Sequence, residues 1–277
     1  MIPGHPPRRR VLGGLFAAGG ALTLGAAATP APAAAGKDTG TRPTVVLVHG
    51  VFADASGWNA VTARLLRAGF PVIAPANPLR DLAGDAAYVR SVLDTIPGPL
   101  ILVGHSYGGE VITNAARGHA GVKALVYVAA FAPDEGESAL DLAAKFPGSR
   151  LESALVPRPY PIPGAEPGVD GYIDPAKFHD VFAQDLPRAQ TDVMATAQRP
   201  GSIGGLGGPS GVPAWKSLPS WYVVASADRV IPPAVQRFMA ERAKSTVVEV
   251  KNASHVVMMS RPDVVVRHIE AAHRATR

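Results

Sequence analysis

The sequence predicts an α/β fold: a mostly parallel central sheet flanked by helices, with a helical cap inserted over one end. Two observations predict it. Short β-branched runs alternate with helix-length amphipathic segments, and the runs are almost continuously apolar, as strands buried on both faces are. That rhythm fails once, from about residue 133 to 219, where prolines and a Gly-rich piece replace any strand-like run.

Taken in order, the strand-like runs are Thr44 to Val48, Pro71 to Ala74, Leu100 to Val103, Val122 to Val128, Trp221 to Ala225 and Thr246 to Val250. Between them, helical periodicity is predicted over Trp58 to Ala68, Asp81 to Ile96, Tyr107 to His119, Ala234 to Lys244 and Pro262 to Arg274. Strand and helix alternate as they do in a sheet built from crossover units. A structureless loop spanning 133–219 is implausible in a compact domain, so part of it is expected to be helical. Asp141 to Phe146 and Pro175 to Leu186 are the best helical stretches there.

The 277 residues are 47% hydrophobic and 18% charged, which is the composition of a globular domain. The net charge of +5 does not point to nucleic acid, because Arg8, Arg9 and Arg10 belong to an N-terminal leader and their removal leaves 24 basic against 22 acidic residues. The chain has no cysteine, which excludes a thiol nucleophile, disulfides and a cysteine-ligated zinc site. No His-Glu-x-x-His metal motif and no phosphate-binding loop is present, so neither a metal nor another cofactor is expected.

Residues 1–35 read as an address. Three arginines precede a weakly apolar Gly/Ala/Leu stretch to about Ala28, and small residues with prolines follow, with cleavage expected near Ala33 or Ala35. The arginine run resembles a twin-arginine export signal, so the domain at 36–277 is expected outside the cytoplasm, secreted or periplasmic. Nothing after Gly36 is long and apolar enough to insert in a membrane once the leader is gone.

The chemistry concentrates at strand ends. Leu100 to Val103 runs into Gly104-His-Ser106-Tyr-Gly108 and then a helical segment. Glycines stand two residues to either side of Ser106 because so sharp a turn leaves no room for side chains at those positions. A serine hydroxyl needs a base, and the base needs a partner that fixes its tautomer. His255 follows the run ending at Val250, and Asp228 follows the run ending at Ala225, giving the chain order serine, acid, histidine. Asp134, after the strand that ends near Ala130, is the rival acid, although Pro133-Asp-Glu-Gly136 also reads as an ordinary turn. Attack on an ester carbonyl makes an oxyanion, which two backbone N–H groups are expected to hold. Tyr107 supplies one, and Val51, in the turn His49-Gly-Val-Phe52, supplies the other, with Phe52 as the alternative. His49 and His105 read as buried supports.

Val48-His-Gly-Val-Phe52, Gly104-His-Ser-Tyr-Gly-Gly109, Asp228-Arg-Val-Ile-Pro232 and Ser254-His255 together resemble the α/β-hydrolase superfamily. The short spacing and the His-Gly opening further resemble the branch of plant methylesterases and hydroxynitrile lyases and related bacterial esterases. That resemblance implies a serine esterase acting on small esters under a helical cap without a cofactor. Lyase members of the branch carry a lysine after the histidine, where this chain has Val256, and relatives with an aspartate nucleophile differ at Ser106. Apolar cap residues such as Phe146, Phe178, Phe182, Met194 and Trp215 line an ester pocket or fill the cap's own core. Two readings stand beside ester hydrolysis: perhydrolysis or acyl transfer by the same residues, and a non-catalytic binding protein on the same scaffold.

Overall fold

Strand β1 (Thr44–Val48) has every residue buried, which is what an unbroken run of valines and leucine demands. The computed structural model describes residues 42–277, and the predicted leader at 1–35 lies outside them. After β1 come α1 (Asn59–Arg67), β2 (Val72–Ile73), α2 (Leu82–Leu93), β3 (Leu100–Ser106), α3 (Tyr107–Ala115) and β4 (Val122–Ala130). The next segment holds α4 (Ala139–Ala144), β5 (Leu155–Tyr160), β6 (Gly168–Ile173), α5 (Pro175–Phe182), α6 (Arg188–Thr196), β7 (Gly201–Ser202) and α7 (Ile203–Leu206). The chain closes with β8 (Ser220–Ala225), α8 (Pro233–Arg242), β9 (Thr246–Val250), α9 (Val257–Ser260) and α10 (Pro262–Ala275).

Six strands form one parallel sheet in the order β2-β1-β3-β4-β8-β9. From β1 the chain moves outward to β2 and then crosses to β3 on the other side, so the order reverses between β1 and β3. A crevice opens outside the carboxyl ends of strands at such a reversal. The β1 end carries His49, Gly50 and Val51, and the β3 end carries Ser106. Position, rather than any local propensity, brings these residues together.

The helices start where their sequences provide caps. Asp81 accepts the Gly84 amide at 2.7 Å at the start of α2, Ser138 and Asp141 form a reciprocal capping box on α4, and proline opens α5, α8 and α10. Helix α10 buries Val265, Val266, Ile269 and Ala272 along one stripe, the spacing expected of a helix lying on a sheet.

The inserted segment between β4 and β8 corrects one expectation. It is not purely helical: β5, β6 and β7 form a three-stranded antiparallel sheet beside four helices. Pro157 and Pro159 hide β5, because they break the alternation that marks a strand. They are tolerated because β5 is the edge of its sheet, where a missing N–H costs no ladder bond. The cap sheet is fastened to the core at Leu79 and Arg80. The Ser202 amide donates to the Leu79 carbonyl at 3.1 Å, and the Arg80 guanidinium pairs with Asp170 at 2.9 Å.

Candidate active site

Ser106 is the last residue of β3 and the residue before α3, with φ 54° and ψ −127°. A non-glycine residue held there costs on the order of 1–3 kcal/mol and persists only where its surroundings force it. Here the forcing is crowding. A Cβ on Gly108 would fall 2.3 Å from the Val48 carbonyl oxygen, and one on Gly50 would fall 2.6 Å from the Ser106 Cβ and 3.1 Å from its Oγ. Helix α3 and the turn after β1 therefore approach as closely as backbone allows. The β3–β4 register also shifts between His105 and Ser106, which re-aims the serine out of the strand's regular alternation.

Asp228 and His255 are hydrogen-bonded, Oδ2 to Nδ1 at 2.7 Å, and both side chains are fully buried. The carboxylate is saturated with donors: Oδ1 accepts the amides of Val230 at 2.7 Å and Ile231 at 3.0 Å, and Oδ2 also accepts the Gln236 amide group at 2.8 Å. With Nδ1–H committed to the carboxylate, the bare nitrogen of His255 is Nε2, which is buried and has no protein partner. It is the atom available to take a proton. Gln236, fully buried on α8, has no counterpart in the sequence-based expectations. Its place in the first turn after Pro232-Pro233 is the signal that directs it back at Asp228.

The rival acid is placed elsewhere. Asp134 pairs with Lys216 at 2.5 Å and caps its own turn through the Glu135 amide at 2.7 Å, which fits the turn reading.

His105 and His49 are supports, as their surroundings dictate. The Nε2 of His105 donates to the His255 carbonyl at 3.0 Å, and the two rings lie 4.7 Å apart, so the residue beside Ser106 holds the backbone of His255. His49 accepts the Asn77 amide on Nε2 at 3.0 Å, which leaves Nδ1–H to donate to the Gly50 carbonyl at 2.9 Å. Burial lowers the pKa of both rings, that of His105 strongly, and keeps them neutral.

The candidates for oxyanion donor are narrowed by what the turn already uses. The Phe52 amide donates to the Arg199 carbonyl at 2.8 Å, so it is committed, and Val51 remains. Val51 and Tyr107 pack about the same small gap, together with Leu79, Arg80 and residues of β7 and α7. The Tyr107 amide opens α3, where first-turn N–H groups have no partner inside the helix. Its phenol donates to the buried Asp85 carboxylate at 2.9 Å, and the other oxygen of Asp85 accepts the Arg80 amide at 3.1 Å. Burial raises the Asp85 pKa, and those two donors oppose the rise.

Glu110, one turn into α3, is buried with neither carboxylate oxygen hydrogen-bonded, and desolvation raises its pKa well above the usual range. The folded protein thus holds a proton that the unfolded chain releases above about pH 4.3, and stability falls as pH rises from there. Glu110→Gln is expected to be more stable than wild type at neutral pH. The advantage should grow by at most about 1.4 kcal/mol per pH unit above pH 4.3 and vanish below it. Melting curves at several pH values test this, and a pH-independent difference would contradict it.

A groove of about 130 Å³ lies between α6 and the turn after β1, lined by Phe52, Ser56, Gly57, Val193, Met194 and Met259. Phe52 packs edge-on against Phe182 at 6.1 Å, and Phe182 against the His255 ring at 5.2 Å, so buried aromatic packing links the groove's wall to the histidine. Among the described residues, no cluster of three or more His, Cys, Asp or Glu side chains is arranged to hold a metal ion. Nor is any helix there long and apolar enough to cross a membrane.

A parallel sheet with a serine on a strained strand-to-helix turn, and an aspartate–histidine pair on neighbouring strand ends, defines a class of α/β enzyme. The profile described as "Alpha/beta hydrolase family" matches residues 45–268, and the chain belongs to that family. It is 24% identical over 253 residues to the alpha/beta hydrolase nvfD of Aspergillus novofumigatus, covering 83% of this chain and 96% of that one. It is 36% identical over 113 residues to a carbendazim hydrolyzing esterase of Nocardioides sp., covering 36% of this chain and 47% of that one. Among solved structures, polyneuridine aldehyde esterase aligns with a TM-score of 0.73 at 22% identity, over 83% of this chain and 99% of that one. The PytH_H230A structure aligns at 0.69 with 25% identity, over 85% and 98%.

Proposed function

We propose that this hydrolase cleaves small to medium carboxylic esters through an acyl-enzyme formed on Ser106, with His255 as base and Asp228 as its orienting partner. The observation that carries the reading is the Asp228–His255 hydrogen bond at 2.7 Å, which leaves a bare, buried Nε2 in a site that also holds a strained serine. Ser106 Oγ adds to the ester carbonyl while its proton passes to Nε2. The carbonyl oxygen becomes an oxyanion held by the Val51 and Tyr107 amides, each donor contributing roughly 3 kcal/mol. Collapse expels the alcohol, which takes the proton from His255. Water then adds to the acyl-enzyme by the same route, releasing the acid and restoring Ser106. The two esterases named among the relatives support an ester as substrate, and the groove at Phe52 and Met194 suits an apolar acyl or alcohol group. Export through the leader at 1–35 belongs to the same proposal.

Product analysis with competing acyl acceptors tests it. A chromogenic acetate ester supplied with an alcohol or hydrogen peroxide is expected to yield mainly acetate. Predominant transfer to the alcohol or to peroxide would replace hydrolysis with acyl transfer as the reaction.

A further inference from the structure

Two adjacent cap residues reach down to the two loops that carry the acid and the base. The Asp185 carboxylate accepts the amide of Ser254, the residue before His255, at 3.0 Å. The Gln184 side chain donates to the carbonyl of Ala227, the residue before Asp228, at 2.6 Å. On either side the fastening continues. The Arg229 guanidinium donates to the Asp180 carbonyl at 2.8 Å, and the Phe182 ring stands against His255 at 5.2 Å. The two loops are already joined by the Ala227 amide bonding the Ala253 carbonyl at 3.0 Å. What the cap adds is a second tie to each loop, from a single short turn between α5 and α6.

We propose that Gln184 and Asp185 are positioning residues for the hydrolytic reaction, a clasp from the cap that fixes the separation and orientation of Asp228 and His255. The inference rests on the proposed roles of Asp228, His255 and Ser106. Its physical basis is that a carboxylate accepting a backbone N–H makes a charge-assisted bond, stronger than a neutral one. Each residue also keeps one side-chain oxygen, Asp185 Oδ1 and Gln184 Oε1, buried without a hydrogen bond. Holding those oxygens dry costs free energy, which the clasp must offset. Displacing a reacting group by about 1 Å lowers the rate about 100-fold, so the clasp acts on the chemical step. It also assigns the cap two ends with different tasks. The end of α5 and the turn after it, residues 180–185, stay fixed on the loops that carry Asp228 and His255. The α6 side instead borders the apolar groove, where Val193 is 67% exposed.

The test compares wild type with Asp185→Ala, Asp185→Asn and Gln184→Ala, using Arg150→Ala as a cap control that removes only an exposed pair with Asp180. Three quantities are read: the rate at which a fluorophosphonate labels Ser106, kcat and KM on p-nitrophenyl acetate, and the low-field proton resonance of the Asp228–His255 bond. In Asp185→Ala, the labelling rate and kcat are expected to fall about 10- to 100-fold, and the low-field resonance to shift or be lost. KM should change less than about threefold. Asp185→Asn, which keeps an acceptor for the Ser254 amide, should recover most of the rate, and Arg150→Ala should match wild type. Gln184→Ala should show a smaller loss of the same kind, and it carries the test if Asp185→Ala does not fold. Wild-type labelling with no slowing in either alanine variant would overturn the clasp alone. So would a loss confined to KM with the resonance unmoved. Wild type that does not label at all would overturn the catalytic reading, and the clasp with it.

Discussion

Ser106→Ala is expected to abolish ester turnover, lowering kcat by about 10⁴- to 10⁶-fold, while the protein folds and melts much as wild type does. The two halves of this prediction have separate physical grounds. Removing the hydroxyl removes the atom that bonds to the acyl group, and nothing else in the site supplies one. Stability is spared because the strained backbone at φ 54° is imposed by the packing of Gly50 and Gly108 against their neighbours. Alanine in that conformation pays the same steric penalty as serine. Kinetics on one chromogenic ester with a melting curve alongside checks both halves. An alanine variant that turns over at the wild-type rate would remove Ser106 from the chemistry.

Asp228→Asn is expected to cost nearly as much, about 10⁴-fold in kcat, for a reason visible in its hydrogen bonds. All four donors around Asp228 point at oxygen: two backbone amides at Oδ1, with the Gln236 side chain and His255 Nδ1 at Oδ2. Asparagine has one oxygen. If it faces the backbone amides, its NH₂ confronts Gln236 and His255, and the imidazole is driven to the tautomer with Nδ1 bare and the proton on Nε2. That tautomer cannot accept the serine proton. The conflict also leaves Gln236 with an unmade buried bond, so a loss of stability of about 1–3 kcal/mol accompanies the kinetic loss. A kcat within tenfold of wild type would show that Asp228 does not set the tautomer.

The parts of the site that were legible in the sequence share one property. Ser106 and Asp228 each follow a buried apolar run, and His255 follows the β-branched run Thr246–Val250 at the sheet's edge, so the strand could be read and the position after it singled out. The sheet was legible for the same reason. Local pattern failed where the physics is not local. Strands β5, β6 and β7 carry prolines, glycines and polar residues, because their sheet is small, lies at the surface and has an edge that needs no donors. Gln236, Asp85, Gln184 and Asp185 are ordinary helix or turn residues in the sequence. Their roles depend on which loop the fold places opposite them. What favours Val51 over Phe52 is likewise a distant group, the Arg199 carbonyl that takes the Phe52 amide.

The cap also explains how a site with Ser106 2% exposed and His255 fully buried can serve a reaction that needs both polar atoms unencumbered. Exclusion of bulk water strengthens the Asp228–His255 interaction and, in the proposed reaction, would strengthen the Val51 and Tyr107 oxyanion contacts alike. The neutral, hydrogen-bonded states of His49 and His105 keep competing charge away from His255.

The central claim is that Ser106 is a nucleophile activated by His255. Its most direct test is fluorophosphonate labelling of the purified protein followed by peptide mass mapping, with His255→Ala as the control. The account predicts stoichiometric labelling at Ser106 in wild type and almost none in the histidine variant. Folded wild-type protein that takes no label, or takes it at Ser106 equally well without His255, would contradict it.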